Sequence, residues 1–302
     1  MSDHGSSAKA ILYALLANFG IALAKMAAAI VTGSGSMLAE SIHSFADCGN
    51  QILLFVGLRQ SQRPPDKAHP LGYGKLTYYW SFIVALLLFS VGGLFSIYEG
   101  WHKLHAPEPL HRPWIALVVL GVSLLLESAS LLGCLREINK LRGPKTLGRW
   151  LATTRNAELV VVLGEDCAAL LGLMLAFGFV ATAAYTGIVV FDAIGSICIG
   201  LVLVAVSVFV SLRVKMLLVG SSAEDELEQA LRAEIAADPN IDALLNIITL
   251  QLGPQVMLAA KVRMLSGITI DTAVAQINAL ERNIKRRFPE IAWSFIEPDN
   301  ED

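Results

Sequence analysis

Charge is scarce in this chain. Only 16% of its 302 residues are Asp, Glu, Lys or Arg, against 55% that are apolar, and the mean hydropathy is +0.59. A soluble globular domain carries about 25% charged residues, so the composition excludes that class and indicates a polytopic membrane protein. The formal net charge of −3 is small, and no basic stretch is long enough to engage nucleic acid. Cysteine is equally sparse. Cys48, Cys134, Cys167 and Cys198 all stand in apolar segments without CxxC spacing, which excludes a disulfide framework or a zinc knuckle and leaves them as small packing residues. HExxH, a nucleophile elbow and a phosphate-binding loop are missing, so neither an enzyme nor a prosthetic group is expected. The first apolar segment, from about Ala8, lacks a small-residue cleavage site and is expected to be a retained span.

What the chain does have is long apolar runs. Six are long enough for a hydrocarbon core that needs about 20 helical residues: roughly 8–31, 36–58, 76–101, 113–135, 158–183 and 186–212. The first two are joined only by Thr32-Gly-Ser-Gly-Ser36, and the last two by Ala184-Tyr-Thr-Gly187, which predicts tight hairpins. Lys and Arg concentrate in two connections. Arg59, Arg63, Lys67 and Lys75 lie in one, and Arg136, Lys140, Arg142, Lys145, Arg149 and Arg155 in the other; the opposite loops offer little beyond Lys103 and Arg112. Both termini are therefore expected to be cytoplasmic, in a plasma membrane, the inner one of a bacterium.

Composition changes at Gly220-Ser-Ser-Ala-Glu-Asp225. Residues 1–219 read as an all-α membrane domain of six transmembrane helices, and 220–302 as a small cytoplasmic α+β domain. In the latter, Ser222 is expected to cap a helix to about Ala237, and Asp238-Pro-Asn240 to stop it. Leu244–Leu252 and Val256–Met264 alternate and meet at Gly253-Pro254, which predicts a hairpin. A helix over 271–287 and a strand over 291–296 complete an α-β-β-α-β order, read as an antiparallel sheet covered by helices in the manner of ferredoxin-like metallochaperones.

Ionisable residues inside apolar spans cost about 2.5–3.5 kcal/mol each even on the lenient insertion scale, and by default mark function. In the second span Glu40, His43 and Asp47 are spaced i, i+3, i+7, which puts all three on one helical face. Carboxylates and an imidazole so arranged suit a divalent cation. The fifth span places Glu165 and Asp166 side by side, about 100° apart on a helix, with Glu158 near its cytoplasmic end. Asn18 and Lys25 lie seven apart on the first span, and Lys25 is suited to pair with Glu40 or with an acid of the fifth. Glu127 in the fourth span is read either as a proton relay or as a bond to a neighbouring helix. Asn50 is a candidate supporting donor, and Asp192 is read as a cap at the start of the sixth span. His102, His105 and His111 with Glu99 offer an exit site, but a wet loop is the preferred reading.

Taken together, Leu38-Ala-Glu-Ser-Ile-His-Ser-Phe-Ala-Asp47, Pro64-Pro-Asp-Lys-Ala-His-Pro-Leu-Gly-Tyr-Gly-Lys75, the acid pair at 165–166 and the small C-terminal domain make the chain resemble the cation diffusion facilitators, exporters of zinc and related divalent cations. The resemblance covers nearly the whole length. It implies a tetrahedral transport site with a pair of donors four apart on each of the second and fifth spans. His43 and Asp47 match the first pair and Asp166 the last donor. The remaining position falls on Val162, which cannot ligate a metal, so the fourth ligand is Glu165, Glu40, a water, or nothing, with Glu165 preferred. Leu-Gly-Glu-Asp resembles a divergent branch of the family related to the mitochondrial zinc transporter of animals.

One imidazole among carboxylates is a harder donor set than two, so the resemblance implies Zn as the leading cargo with Mn, Fe and Co behind it. In the family, loop residues and soluble-domain histidines bind extra zinc. Here Asp66 and His69 remain, as loop ligands or as a plain solvated loop, while Tyr73 and Thr77 replace two frequent ligands. The region after Gly220 has neither His nor Cys, which points to constitutive homodimerisation rather than metal sensing. The function so implied is proton-coupled, alternating-access export of a divalent cation. The contrasting reading, motivated by Val162, is a non-transporting membrane scaffold or heteromeric partner with a degenerate metal site.

Overall fold

The computed structural model of the protein describes residues 4–301. The chain divides into two compact units, one formed by the segments up to Val56, Trp80–Lys145 and Glu158–Arg213, the other by Gly57–Tyr79, Thr146–Ala157 and Val214 onward.

Helices stand at all six apolar runs: α1 (His4–Thr32), α2 (Gly35–Ser61), α3 (Leu76–Leu87) continuing through a π-helical turn (Leu88–Leu94) into α4 (Phe95–His105), α5 (Pro113–Leu141), α7 (Ala157–Thr186) and α8 (Val190–Val219). A short helix, α6 (Leu147–Thr153), falls in the basic connection. Four of these stretches, Leu76–His105, Pro113–Leu141, Ala157–Thr186 and Val190–Val219, are long and apolar enough to cross a membrane. α1 and α2 have the length, at 29 and 27 residues, but α2 carries its own ionisable stripe and is less apolar. The core of this unit is aliphatic and small-residue rich, with Ala28, Met37, Leu88, Leu120, Leu173 and Leu203 among its buried members. Small residues allow close approach of the helices, as expected where lipid leaves packing as the main driving force: a Cβ on Gly200 would lie 2.7 Å from the Gly93 carbonyl oxygen.

The hairpin between α1 and α2 is built by its own sequence. Gly33 takes φ 67, as the residue ending a helix often must, and α2 starts two residues on. Its free backbone N–H groups are met by Asp192 of α8: Gly35 N donates to Oδ2 at 2.6 Å and Ser36 N to Oδ1 at 3.2 Å, while Ser34 Oγ donates to Oδ1 at 2.6 Å. Asp192 thus caps α2 and ties it to α8, a wider role than the local cap expected of it. Sequence proximity suggested α8; the unpaired donors at the start of α2 are what its buried carboxylate meets.

The other unit contains α9 (Asp225–Ala236), β1 (Ile241–Leu252), β2 (Gln255–Met264), α10 (Ile270–Arg287) and β3 (Ile291–Pro298). The β1–β2 hairpin turns at Gly253, φ 71, the first central position where a type II′ turn needs glycine. Ile247 faces Ala260 and Thr249 faces Leu258 across the antiparallel pair. The sheet order is β1-β2-β3, but β3 runs parallel to β2, with Leu258 beside Ser294 and Ala260 beside Ile296. The sheet is therefore mixed, not antiparallel as expected. The reason is topological: the chain leaves β2, crosses over through α10 and re-enters alongside, the route by which adjacent strands become parallel. Leu231, Ile235, Leu280 and Ile284 of the two helices close one face of the sheet over Val256, Leu258 and Val262. Ser222 is not the cap of α9 either. The helix begins at Asp225 behind Glu224, without a side-chain cap, and an acidic first turn of Asp225, Glu226 and Glu228 meets its dipole instead.

Candidate metal centre

The stripe on α2 lies buried in the helical unit. Glu40 and His43 are fully enclosed. His43 Nδ1 approaches Asp47 Oδ1 at 3.4 Å, one turn on, without hydrogen-bond geometry, and neither ring nitrogen has a hydrogen-bond partner among the described residues. The π-helical turn passes alongside: a Cβ on Gly92 would sit 3.7 Å from His43 Nδ1. Such turns recur at functional sites.

Asp47 lines a cavity of about 80 Å³ shared with Glu127 of α5 and Glu165 and Asp166 of α7, with Asn18, Ser44, Gln51 and Ser130 among the other polar residues on its walls. Ser130 Oγ donates to Asp166 Oδ1 at 3.3 Å. Glu165, a candidate ligand, accepts a hydrogen bond from Asn50 Nδ2. Asp47 Oδ1, Asp166 Oδ2 and Asn50 Oδ1 are buried without a hydrogen-bond partner among the described residues. A buried polar atom left unsatisfied costs about 1–3 kcal/mol, so several in one place single this cavity out as a candidate site for a water or an ion.

Glu40 is engaged differently. Lys25 Nζ lies 3.3 Å from Glu40 Oε2 and donates to Ser44 Oγ at 2.7 Å. The second Glu40 oxygen is pressed against α7 at Gly172, where a Cβ would collide with it. Of the five residues expected to hold an ion, Asp47, Glu165 and Asp166 share one cavity, His43 reaches it through Asp47, and Glu40 is held by Lys25. Among the described residues, no three His, Cys, Asp or Glu side chains converge closely enough to ligate one ion. Sequence reasoning left Glu127 undecided and passed over Ser44 and Gln51, although both continue the face of Glu40 and Asp47 at helical spacing.

Outside the spans, the loop at Asp66 holds itself together. Oδ1 accepts from the backbone N–H of Ala68 and His69 at 2.9 and 2.7 Å, and Tyr73 Oη donates to Oδ2 at 2.7 Å. These bonds, the Tyr73 hydroxyl foremost, hold the Asp66 carboxyl below its ordinary value, and the same contact pushes the Tyr73 hydroxyl up. His69 packs its ring on Tyr73, centroids 4.2 Å apart. At the opposite connection His102 and His105 are exposed, and Lys103 instead reaches inward, donating to the Gly33 carbonyl and standing 3.7 Å from Asp192.

Apolar helices that bury an imidazole, an ammonium group and several carboxylates between them define a multi-pass membrane protein with a charged interior. The chain belongs to the cation efflux, or cation diffusion facilitator, family: the model of the cation efflux transmembrane domain matches residues 11–218. The family is named for cation efflux, a transport activity and not an enzymatic one. Over 260 residues it is 34% identical to Proton-coupled zinc antiporter SLC30A9, mitochondrial, of Xenopus laevis, covering 85% of this chain and 46% of that protein. The Homo sapiens protein of the same name is 31% identical over 276 residues, 91% of this chain and 48% of the relative. Metal tolerance protein C4 of Arabidopsis thaliana is 32% identical over 250 residues, 82% and 55% of the two. The likeness to the mitochondrial zinc subgroup agrees with the Leu-Gly-Glu-Asp motif. The chain spans about half the length of the curated relatives it matches. The animal relatives are named as mitochondrial, which gives the plasma-membrane expectation no support.

Proposed function

We propose that this protein is a proton-coupled exporter of divalent cations, zinc first among them and Mn, Fe or Co as the alternatives, working by alternating access across the bilayer. The observation that carries the reading is the shared cavity of Asp47, Glu165 and Asp166 with His43 against its edge. His43, Asp47 and Asp166 are the proposed ligands. Glu165 is the nearest candidate for the position that Val162 leaves without a donor, whereas Glu40 would first have to leave Lys25.

Coupling to protons follows from the donors themselves. An imidazole and carboxylates bind a metal only after shedding protons and take them up again when it departs, with His43 the natural carrier. The ion enters from the cytoplasm, displaces protons, and leaves on the far side after the helices rearrange. The reading includes six spans with both termini cytoplasmic, a membrane domain over 1–219, a soluble domain over 220–302, and a homodimer. Ile248 and Phe295, both exposed on the sheet face away from its helices, supply apolar surface for the soluble domain's part in that dimer. Calorimetric titration of purified protein with Zn²⁺ tests the site: saturable binding that Asp47→Ala and Asp166→Ala each weaken at least tenfold is expected. Unchanged binding in both variants contradicts the ligand assignment, and no binding by the folded wild type favours the scaffold reading.

A further inference from the structure

We propose that Glu127 of α5 is a further ligand of the transported ion, adding a carboxylate to the donors of α2 and α7 and biasing the site toward cations that prefer oxygen. The inference deepens the exporter reading and rests on it. Glu127 stands at the midpoint of α5, Pro113–Leu141, where an ionised carboxylate is most costly in a membrane. It lines the same small cavity as Asp47, Glu165 and Asp166. Unlike Glu40, held by Lys25, and Glu165, held by Asn50, it makes no hydrogen bond or ion pair with any described residue. No structural bond to a neighbouring helix therefore accounts for it, and Lys25, the cation whose charge reaches it, is already engaged by Glu40 and Ser44.

Two further observations point the same way. Ser130, one turn along α5 from Glu127, reaches Asp166 at 3.3 Å, so this face of α5 meets α7 at the acids. Independently, the His43 side chain is only 1% exposed, its two ring nitrogens lack hydrogen-bond partners, and Nδ1 is aimed at Asp47, the carboxylate on the cavity wall. An enclosed imidazole left in that state beside a carboxylate-lined cavity is a donor set for a cation. With Glu127 included, the donors come from α2, α5 and α7 and comprise one imidazole and a majority of carboxylates. Such a set is harder than one with two imidazoles and suits Mn²⁺ relatively better than a nitrogen-rich site would. The role differs from a proton relay because it makes the choice of metal depend on the Glu127 side chain.

The test compares wild type, Glu127→Gln, Glu127→Asp and Asp47→Asn by calorimetric titration with Mn²⁺ and with Zn²⁺ and by metal flux into proteoliposomes. Glu127→Gln is expected to lose at least tenfold in Mn²⁺ affinity and less in Zn²⁺ affinity, with Glu127→Asp between it and wild type. If Glu127→Gln fails to fold, the shortened carboxylate decides alone: a ligand displaced by one methylene changes the Mn²⁺-to-Zn²⁺ affinity ratio, whereas a merely structural residue leaves it unchanged. Wild-type binding, metal ratio and flux in the Glu127 variants, with Asp47→Asn inactive, overturn the role of Glu127 and leave the exporter reading standing. Wild-type behaviour in Asp47→Asn as well removes the exporter site itself.

Discussion

Lys25 and His43 are both enclosed by the helical unit, yet only Lys25 has found partners there, in Glu40 and Ser44. On the proposed reading, the difference separates a residue that holds the structure from a candidate ligand. Removing one member of a buried ion pair leaves the other charge uncompensated and costs about 3–5 kcal/mol, while replacing both by apolar groups is often neutral. Lys25→Met is accordingly expected to lower the thermal unfolding midpoint sharply, and Lys25→Met combined with Glu40→Leu to recover most of the loss. An unchanged midpoint in the single variant contradicts this account of the pair. For the ligands the expectation concerns pH. Protons and metal compete for the same atoms, so Zn²⁺ affinity should rise with pH and fall in acid, and titration in buffers of different ionisation heat should register proton release on binding. Binding indifferent to pH argues against His43 and the carboxylates as ligands.

At the scale of the element, the Asp192 carboxylate joins the start of α2 to α8 with three hydrogen bonds. Asp192→Ala strips the cap from the helix that carries the candidate ligands and leaves buried donors unpaired, at an expected cost of about 2–4 kcal/mol. Thermal unfolding checks this, and a loss below half a kilocalorie shows the cap to be dispensable. The loop at Asp66 gives a second expectation. Its folded carboxyl lies below the ordinary value, so the ionised form favours the folded loop: that contribution is present above the unfolded carboxylate pKa and is lost as pH falls through the lowered one. The contact of Tyr73 with Asp66 should therefore persist at neutral pH and break only in acid below the ordinary carboxylate range, as followed by NMR of Tyr73. Loss of that contact already near pH 6 contradicts the assignment.

These elements also show what the sequence discloses and what it conceals. The helices were legible because long apolar runs admit little else, and the α2 stripe because i, i+3, i+7 spacing fixes a face whatever surrounds it. The direction of β3 was not, since residues 291–296 alternate alike in either sense and only the crossover through α10 orients them. The partner of Asp192 and the wall on which Glu127 stands depend on which helices become neighbours, and no local pattern carries that. Ser222 is a sound cap residue in isolation, yet the acidic turn three residues later sets where α9 begins.

For the whole molecule, an apolar unit with an acidic interior sits in one chain with an α+β unit whose residues after Gly220 lack His and Cys. On the proposed reading, metal binding belongs to the helices and association to the sheet. Phe295→Asp, on the exposed sheet face, is expected to shift the purified protein from dimer toward monomer in light scattering without altering metal affinity; a dimer of unchanged stability places the interface elsewhere. Everything else turns on whether the buried acids and imidazole move an ion. Proteoliposomes loaded with a pH-sensitive dye and a metal-sensitive dye, carrying wild type or Asp47→Ala, give the most direct measurement. The account predicts that Zn²⁺ crosses with protons moving the opposite way and that Asp47→Ala abolishes both signals. Zn²⁺ flux undiminished by Asp47→Ala, or no flux of any divalent metal through folded, inserted wild type, would contradict it.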